Sequence, residues 1–499
     1  MKLSAMLAGI EISETNIDNF DIEINSVKAD SKQVCFGDMY ISLTGFKTDG
    51  HGYIGQALHN RAAVIVIEKS EFSGAFPYIR VPSTRRAYSE IWNNITGDVS
   101  RDIKLIGVTG TNGKSSVCAM IGGILNAAGH KTEVLGTLNC SLTTPDPPEL
   151  YTRLRKLADE GCEYAVMEAS SHALALDKLH PLKFKAGIFT NLSRDHLDFH
   201  KSMYAYAKAK AKLFKQCELC LYNLDDKYYP YITENIKNNC YSFSLEDERA
   251  DFCAKNIHLS LKNSRFDFLA TGDLFRIEAS VTGICNVANM LCSAALCRLL
   301  DIDKSILKKA MRDFKPISGR MEYVETQSKD ICVFVDYAHT PNALYSVLKT
   351  LKDTESQRRL VCIFGCGGDR DKGKRSMMGE IATELADFCI ITSDNPRTED
   401  PYNIIKDITS SIKHKKNYLI IEDRKQAVRY AIHTARCRDI LVFCGKGHER
   451  YEINGTNKTE FNEIQMIKDA DRERIEIRGN EYYSCRQNEN VIGGDSQNN

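Results

Sequence analysis

The chain has 499 residues, and its 66 Lys plus Arg balance 66 Asp plus Glu. At roughly 150 residues per domain, that length predicts about three domains. Zero net charge excludes a global field that would gather nucleic acid or an acidic membrane surface. An apolar content of 43 % is too high for a disordered chain. No apolar run reaches the ~18 residues needed to cross a bilayer. Met1 to Glu11 carries one Lys and an apolar stretch that an acid interrupts, without the longer core of a secretory signal. A cytoplasmic protein with no nucleic-acid or membrane partner is expected. The 18 cysteines are scattered through apolar segments, as at Cys285, Cys292 and Cys297, which suits free thiols in a reducing compartment. Cys217-Glu-Leu-Cys220 has no second pair at zinc spacing and reads as buried small hydrophobes.

In chain order, the first hundred residues read as short strands with turn signals: 34–43, 63–68 and 78–81. A strongly apolar strand at 104–108 runs into a glycine turn and a helix from about 114 to 128. Strands at 164–167 and 186–190 and a helix at 202–214 follow, an alternation that argues a mostly parallel, doubly wound α/β sheet. Residues 251–279 read as three short strands forming an antiparallel extension. After Gly319 the alternation restarts, with strands at 331–335, 360–364, 388–391, 418–421 and 440–443 in a second, Rossmann-like α/β domain. From 478 the chain turns polar and is expected to be disordered. The expected domains are therefore 1–102, 103–318 and 319–477, with a tail at 478–499.

Leu105-Ile-Gly-Val-Thr-Gly-Thr-Asn-Gly-Lys-Ser-Ser116 carries the strongest chemical signal. Its strand ends in Gly110-Thr111-Asn112-Gly113-Lys114-Ser115, which opens a helix. Glycines let backbone N–H groups approach phosphate oxygens, the helix N-terminus adds positive potential, and Lys114 neutralises β/γ charge. Ser115 can offer its hydroxyl to magnesium. The general P-loop spacing G-x-x-x-x-G-K-S/T calls for glycine at 108, where this chain has Val. A mechanical P-loop NTPase would need that glycine.

Thr109-Gly-Thr-Asn-Gly-Lys-Ser115 resembles the nucleotide loop of the Mur ligases, ATP-dependent enzymes that join an amino acid to a peptidoglycan precursor. Further segments match that family in order over nearly the whole chain. They are Asp30-Ser-Lys32, Leu142-Thr-Thr-Pro145, Met167-Glu-Ala-Ser-Ser-His-Ala-Leu174 and Phe189-Thr-Asn-Leu-Ser-Arg-Asp-His-Leu-Asp198. Beyond these come Gly319-Arg-Met-Glu322, Asp336-Tyr-Ala-His-Thr-Pro341, Gly365-Cys-Gly-Gly-Asp-Arg-Asp-Lys-Gly-Lys-Arg375, Asp394-Asn-Pro-Arg397 and Gly445-Lys-Gly-His-Glu449. The resemblance implies a three-domain architecture: a UDP-sugar-binding N-terminal domain, a central P-loop ATPase domain with a parallel sheet, and a C-terminal amino-acid-binding domain. Within the family the set is most similar to members that add the third residue, a diamino acid, to UDP-N-acetylmuramoyl-L-alanyl-D-glutamate. Folylpolyglutamate synthetases, the nearer alternative, fit less well because of the Asp-Asn-Pro-Arg and Gly-Lys-Gly-His-Glu segments. A nucleotide-binding paralogue without turnover is the alternative from another class.

Residue by residue, the resemblance implies two magnesium ions, with ATP as co-substrate. Glu168, just after an apolar strand, stands where an acid meets nucleotide magnesium at a sheet's carboxyl edge. His196 matches the histidine at the second magnesium. Lys210 matches the lysine that the family carbamylates with CO₂, turning a cation into an anionic oxygen ligand. Ser31 falls at the uridine end, and Thr143, Thr144, Ser170 and Lys178 along the sugar-peptide. Asn286 matches the asparagine that reads adenine, and Arg320 and Asp336 match residues at the γ-phosphate region and ribose. The set Asp394, Asn395, Pro396, Arg397, Gly445 and Glu449 is expected to hold the incoming amino acid, with Arg397 and Arg375 as guanidinium forks. A fork grips a carboxylate bidentately. Meso-2,6-diaminopimelate carries a carboxylate at its far end that L-lysine lacks, so Arg397 favours the former; lysine or another diamino acid is the alternative. The bland role for Arg397 is to cap its loop by pairing with Glu399 or Asp400. A monomer is expected, with hinge closure over the acyl phosphate.

Overall fold

The computed structural model describes the chain except residues 46, 47, 235, 237, 238 and 493–499, and only the backbone over 478–492. Two compact units form: one of Met1–Asn191, Tyr204–Phe252 and Cys292–Leu307, the other of Leu192–Met203, Cys253–Leu291 and Lys308–Asn499.

The first unit holds a five-stranded sheet in the order Glu14–Thr15, Tyr78–Arg80, Val64–Ile67, Met39–Ile41, Val27–Lys28. Every pair but the first is parallel. Val64–Ile67 is buried throughout because successive side chains serve opposite faces. Val64 and Val66 pack with Leu3, Met39 and Ile91, whereas Ile65 and Ile67 pack with Tyr40 and Ile54. The strand expected over 34–43 is only Met39–Ile41. Ahead of it Cys35 N donates to Asp38 Oδ2 and Asp38 N to Cys35 O, a side-chain-closed turn that takes the backbone out of any ladder.

The same unit carries the parallel series Thr132–Leu135, Tyr164–Glu168, Lys104–Thr109, Phe184–Phe189, Cys217–Asn223, Asn239–Ser244. Val108 stands opposite Glu168 and Thr109 opposite Phe189, so three neighbouring strands release their loops at one edge.

The second unit contains the antiparallel pair Ser264–Ala270 and Asp273–Ala279, which with Phe252–Leu259 account for the three short strands expected over 251–279. Its main sheet has the order Glu322–Val324, Cys332–Asp336, Ile440–Cys444, Leu360–Phe364, Phe388–Ile391, Tyr418–Ile420, parallel after the first pair. Both faces are covered, as parallel sheets require: Cys362 and Phe364 pack with Leu344, Met378 and Ile404, while Val361 and Ile363 pack with Val428, Ile432 and Ile467. The last helix runs Glu463–Ile492, so the backbone stays helical well past the position 478 where the sequence suggests that order ends. Residues 493–499 of the expected tail lie outside the described residues. Among the described residues, no helix is long and apolar enough to cross a membrane.

Candidate active site

In the first unit, Gly110 sits at φ +155° where a Cβ would fall 1.9 Å from Thr190 Oγ1. Only glycine lets the loop lie that close to the neighbouring strand's end. That end pins the loop: Thr111 N donates to Asn191 O at 2.8 Å, Asn112 N to Asn191 Oδ1 at 3.0 Å, and Thr190 Oγ1 to Asn112 O at 2.6 Å. Gly113, at φ +88°, then turns the chain into the helix Lys114–Ala127. Lys114 Nζ folds back over the loop, donating to the carbonyls of Gly110 and Thr111 at 3.1 and 3.0 Å. Ser115 Oγ donates to Glu168 Oε1 at 2.8 Å, and Thr137 N donates to the same oxygen at 2.9 Å. A hydroxyl beside a buried carboxylate is an all-oxygen donor set of the kind magnesium takes alongside phosphates. Among the described residues, no three His, Cys, Asp or Glu side chains form a metal cage by themselves.

Lysines 208, 210 and 212 diverge from the helix Met203–Phe214, as their spacing implies. Lys208 pairs with Glu234 at the surface, and Lys212 with the half-buried Asp177. Lys210 is 1 % exposed, donates from Nζ to Gly110 O at 2.7 Å, and lies 4.7 Å from the centre of the Tyr206 ring. An ammonium is costly to bury beside the phosphate loop.

Thr144, Ser170 and Glu168 are tied together: Thr144 Oγ1 donates to Glu168 O at 2.7 Å and accepts from Ser170 N at 3.0 Å. Ser170 Oγ caps the helix Ser171–Ala175 by accepting from Ala173 N, and Thr143 Oγ1 accepts from Thr137 Oγ1 at 3.1 Å. Lys178 pairs with Asp146 at 2.7 Å at the wall of a cleft of about 450 Å³, which Asp30, Arg85, Tyr88 and Trp92 also line. Ser31, in a short turn after Asp30, is buried and donates to Gln56 Oε1 at 2.7 Å.

The second unit holds the remaining candidates. His196 adopts φ +54° and its Nε2 lies 3.4 Å from Asp195 Oδ2; the buried Asp195 also lies 3.6 Å from His339 Nε2 and 3.5 Å from Lys374 Nζ. Asn286 is buried, its Nδ2 donating to Thr282 O at 2.8 Å and its Oδ1 accepting from Asn289 at 3.3 Å. Asp336 ends its strand and accepts Met321 N at 2.6 Å; burial raises its carboxyl above the ordinary value. The Arg320 guanidinium lies 4.6 Å from the centre of the Tyr337 ring, its buried Nε without a hydrogen-bond partner.

The loops after two strands carry the residues expected at the incoming amino acid. Asn395 is fixed from three directions: Oδ1 accepts from Lys446 Nζ at 2.7 Å and Ile453 N at 2.9 Å, and Nδ2 donates to Glu449 Oε2 at 2.7 Å. Lys446 Nζ also lies 3.4 Å from Asp394, which packs against Gly445. Gly368 is flush with the facing loop, for a Cβ there would sit 1.8 Å from Pro396 O. Arg397 Nη1 donates to Gly368 O at 2.8 Å, and among the described residues Nε and Nη2 make no hydrogen bond and no carboxylate pairs with the fork. Burial and the neighbouring Arg370 guanidinium both lower its pKa. Glu449 is raised by burial and by the Asp394 charge. Two guanidiniums beside two carboxylates form a receptor for a zwitterion.

Two expectations need correction. Arg375 is not a free fork: 1 % exposed, it donates to Glu399 at 2.8 and 3.0 Å and to Asp407 at 2.9 Å. Hydrogen bonding to Arg375 holds Glu399 down to about 2. Arg397, in turn, does not cap its loop through Glu399 or Asp400, because Glu399 is already committed to Arg375 and Lys372. The guanidinium that sequence reasoning overlooked is Arg370, which among the described residues donates only to Asp369 O, at 3.2 Å. Its signal is position: it follows the carboxyl end of strand Leu360–Phe364, whereas Arg375 lies inside the helix Gly373–Leu385.

Comparison with known proteins bears on these sites together. Residues 108–297 match the family model for the Mur ligase middle domain, and residues 319–447 match that for the Mur ligase, glutamate ligase domain. The chain is 39 % identical over 484 residues to the UDP-N-acetylmuramoyl-L-alanyl-D-glutamate–2,6-diaminopimelate ligase of Clostridioides difficile, covering 94 % of this chain and 99 % of that protein. It is 37 % identical to the ligase of the same name from Clostridium botulinum, covering 95 % and 100 %. A solved structure of a ligase of that name aligns with TM-score 0.67 and 30 % identity over 95 % of this chain and 99 % of that one. A MurF ligase from Thermotoga maritima, solved with ADP, shares the fold at TM-score 0.59 and 18 % identity, over 91 % of this chain and 98 % of that one.

Proposed function

The chain belongs to the Mur ligase family, and on that premise we propose that it joins meso-2,6-diaminopimelate to UDP-N-acetylmuramoyl-L-alanyl-D-glutamate at the expense of ATP, in cell-wall precursor synthesis. It is an enzyme forming a carbon–nitrogen amide bond. A side-chain carboxylate oxygen of the D-glutamyl residue attacks the γ-phosphorus and ADP leaves. The neutral amine of diaminopimelate then attacks the acyl carbon, loses its proton, and phosphate departs. No protein nucleophile is required.

The backbone of Gly110–Ser115 and Lys114 hold the β/γ-phosphates, and the unspent Nε of Arg320 suits the transferred group. Asn286 is assigned to adenine and Asp336 to ribose. Ser31, Thr143, Thr144, Ser170 and Lys178 are assigned to the UDP-sugar-peptide. Ser115 and Glu168 would hold one magnesium, and His196 with carbamylated Lys210 a second; such cations offset the repulsion between ATP and a carboxylate. Gly445, the buried Asp394, Asn395 and Pro396, and the half-buried Arg397 and Glu449 take the far end of the amino acid. The enzyme acts as a cytoplasmic monomer.

One observation carries the choice of substrate: among the described residues neither the Arg397 nor the Arg370 guanidinium pairs with a carboxylate, while the Arg370, Asp394 and Glu449 charges all act on Arg397. Diaminopimelate ends in both a carboxylate and an ammonium; lysine ends in an ammonium alone. The test is phosphate release with UDP-dipeptide and, in turn, meso-diaminopimelate, L-lysine and L-ornithine, with the product mass read for condensation with loss of one water. Release that ignores the amino acid, or that is equal for lysine and diaminopimelate, refutes the assignment; ATP binding without release favours the paralogue without turnover.

A further inference from the structure

Arg424 opens the helix Arg424–His433 and its side chain is 0 % exposed; its partner Glu463, at the start of the last helix, is 1 % exposed. Arg424 Nε donates to Glu463 Oε1 at 2.7 Å, and Nη2 lies 3.3 Å from Glu463 Oε2 and 2.9 Å from Cys444 O. Nη1 lies 3.5 Å from Ser393 O. Those two carbonyls immediately precede Asp394 and Gly445, which lie in the two loops assigned above to the incoming amino acid. Their strands, Phe388–Ile391 and Ile440–Cys444, do not pair with each other; each flanks Leu360–Phe364. No ladder bond therefore sets one loop against the other; Asn395, Glu449 and Lys446 tie them together at the pocket, and the guanidinium fork that reaches both carbonyls ties them at their base.

Stability alone is a weak reason for such a pair. Burying two charges costs several kcal/mol, and apolar replacements of similar volume are often neutral or stabilising. We propose that Arg424, oriented by Glu463, is a positioning residue that sets the spacing between Asp394–Arg397 and Gly445–Glu449, and with it the affinity for the incoming diamino acid. It touches no substrate. The proposal rests on the diaminopimelate assignment above.

The experiment compares the full-length wild type with Arg424→Lys, Glu463→Gln and the double variant Arg424→Met/Glu463→Leu. It reads KM for diaminopimelate, for ATP and for UDP-dipeptide, together with kcat and the melting temperature. Arg424→Lys keeps the charge and loses the fork; the double variant removes the fork without leaving an unpaired buried charge. The expected result is a KM for diaminopimelate raised about tenfold or more in all three, with the other two KM values within about twofold. A double variant with wild-type KM for diaminopimelate, or equal rises in all three KM values, overturns the proposal. Loss of folding in every variant also overturns it, assigning the pair to stability. Wild-type turnover with diaminopimelate tests the underlying assignment separately, so the two failures are distinguishable.

Discussion

Replacing Arg397 by Lys keeps a positive charge in the pocket but removes the planar fork. In the structure one arm of that fork is anchored, Nη1 donating to Gly368 O at 2.8 Å, while Nε and Nη2 remain for an anion. Two hydrogen bonds to a charged group at about 1.5–2 kcal/mol each give about 3–4 kcal/mol. At 1.36 kcal/mol per decade, that is a loss of two to three decades in kcat/KM for meso-diaminopimelate. L-Lysine brings no carboxylate to the fork, so its kcat/KM should change by less than about threefold. The wild-type preference for diaminopimelate should therefore shrink by roughly the same two to three decades. The assay is initial-rate phosphate release with saturating ATP and UDP-dipeptide, each amino acid titrated, for wild type, Arg397→Lys and Arg397→Ala. An unchanged ratio of the two kcat/KM values in both variants would refute the reasoning, because the fork would then not be reading the far carboxylate.

Lys114→Ala should lower kcat by roughly 10²-fold or more, because the half-buried Lys114 lies over the phosphate loop and donates to its Gly110 and Thr111 carbonyls; near-normal turnover in a folded variant would remove the phosphate-loop assignment. Lys210→Ala should be nearly inactive, acetate should restore part of the rate by supplying an oxygen ligand, and CO₂-free wild type should lose activity; normal rates in Lys210→Ala would end the carbamate role. Arg375→Ala should cost about 2–3 kcal/mol of stability, because Glu399 and Asp407 lose their shared guanidinium while Glu399 keeps Lys372 and the half-exposed Asp407 regains water. Chemical denaturation measures that cost, and the preference for diaminopimelate over lysine should stay as in wild type. Burial and Asp394 raise Glu449, so the folded protein holds this proton more tightly than the unfolded chain and ionisation costs stability as pH rises through the raised value. Glu449→Gln should accordingly gain melting temperature over wild type at neutral pH, an advantage that disappears below the ordinary glutamate range. In wild type, KM for diaminopimelate should rise on acidification, beginning above that range, as protonated Glu449 stops pairing with the ammonium.

The local chemistry was readable wherever the backbone itself performs it. Gly110, Gly113, Lys114 and Ser115 announce a strand-to-helix phosphate loop because glycine spacing and helix polarity are properties of adjacent residues. The alternation of strands and helices after Gly319 was legible for the same reason: strands buried on both faces, such as Leu360–Phe364, are continuous apolar runs. The short strand Met39–Ile41 was overextended because the Cys35–Asp38 turn depends on a side-chain acceptor that periodicity does not register. Which guanidinium stands free was not in the sequence at all. Arg370 and Arg375 lie five residues apart in one basic run, and only the packed fold commits Arg375 to Glu399 and Asp407, 24 and 32 residues away. Arg424 likewise looks like an ordinary helix-start arginine until Glu463, 39 residues on, and the carbonyls of Ser393 and Cys444 close around it. Sequence by itself determined the residue types and the order of elements; the tertiary structure decided which charges are already spent, because a charge is spent by whatever partner folding brings within about 3 Å.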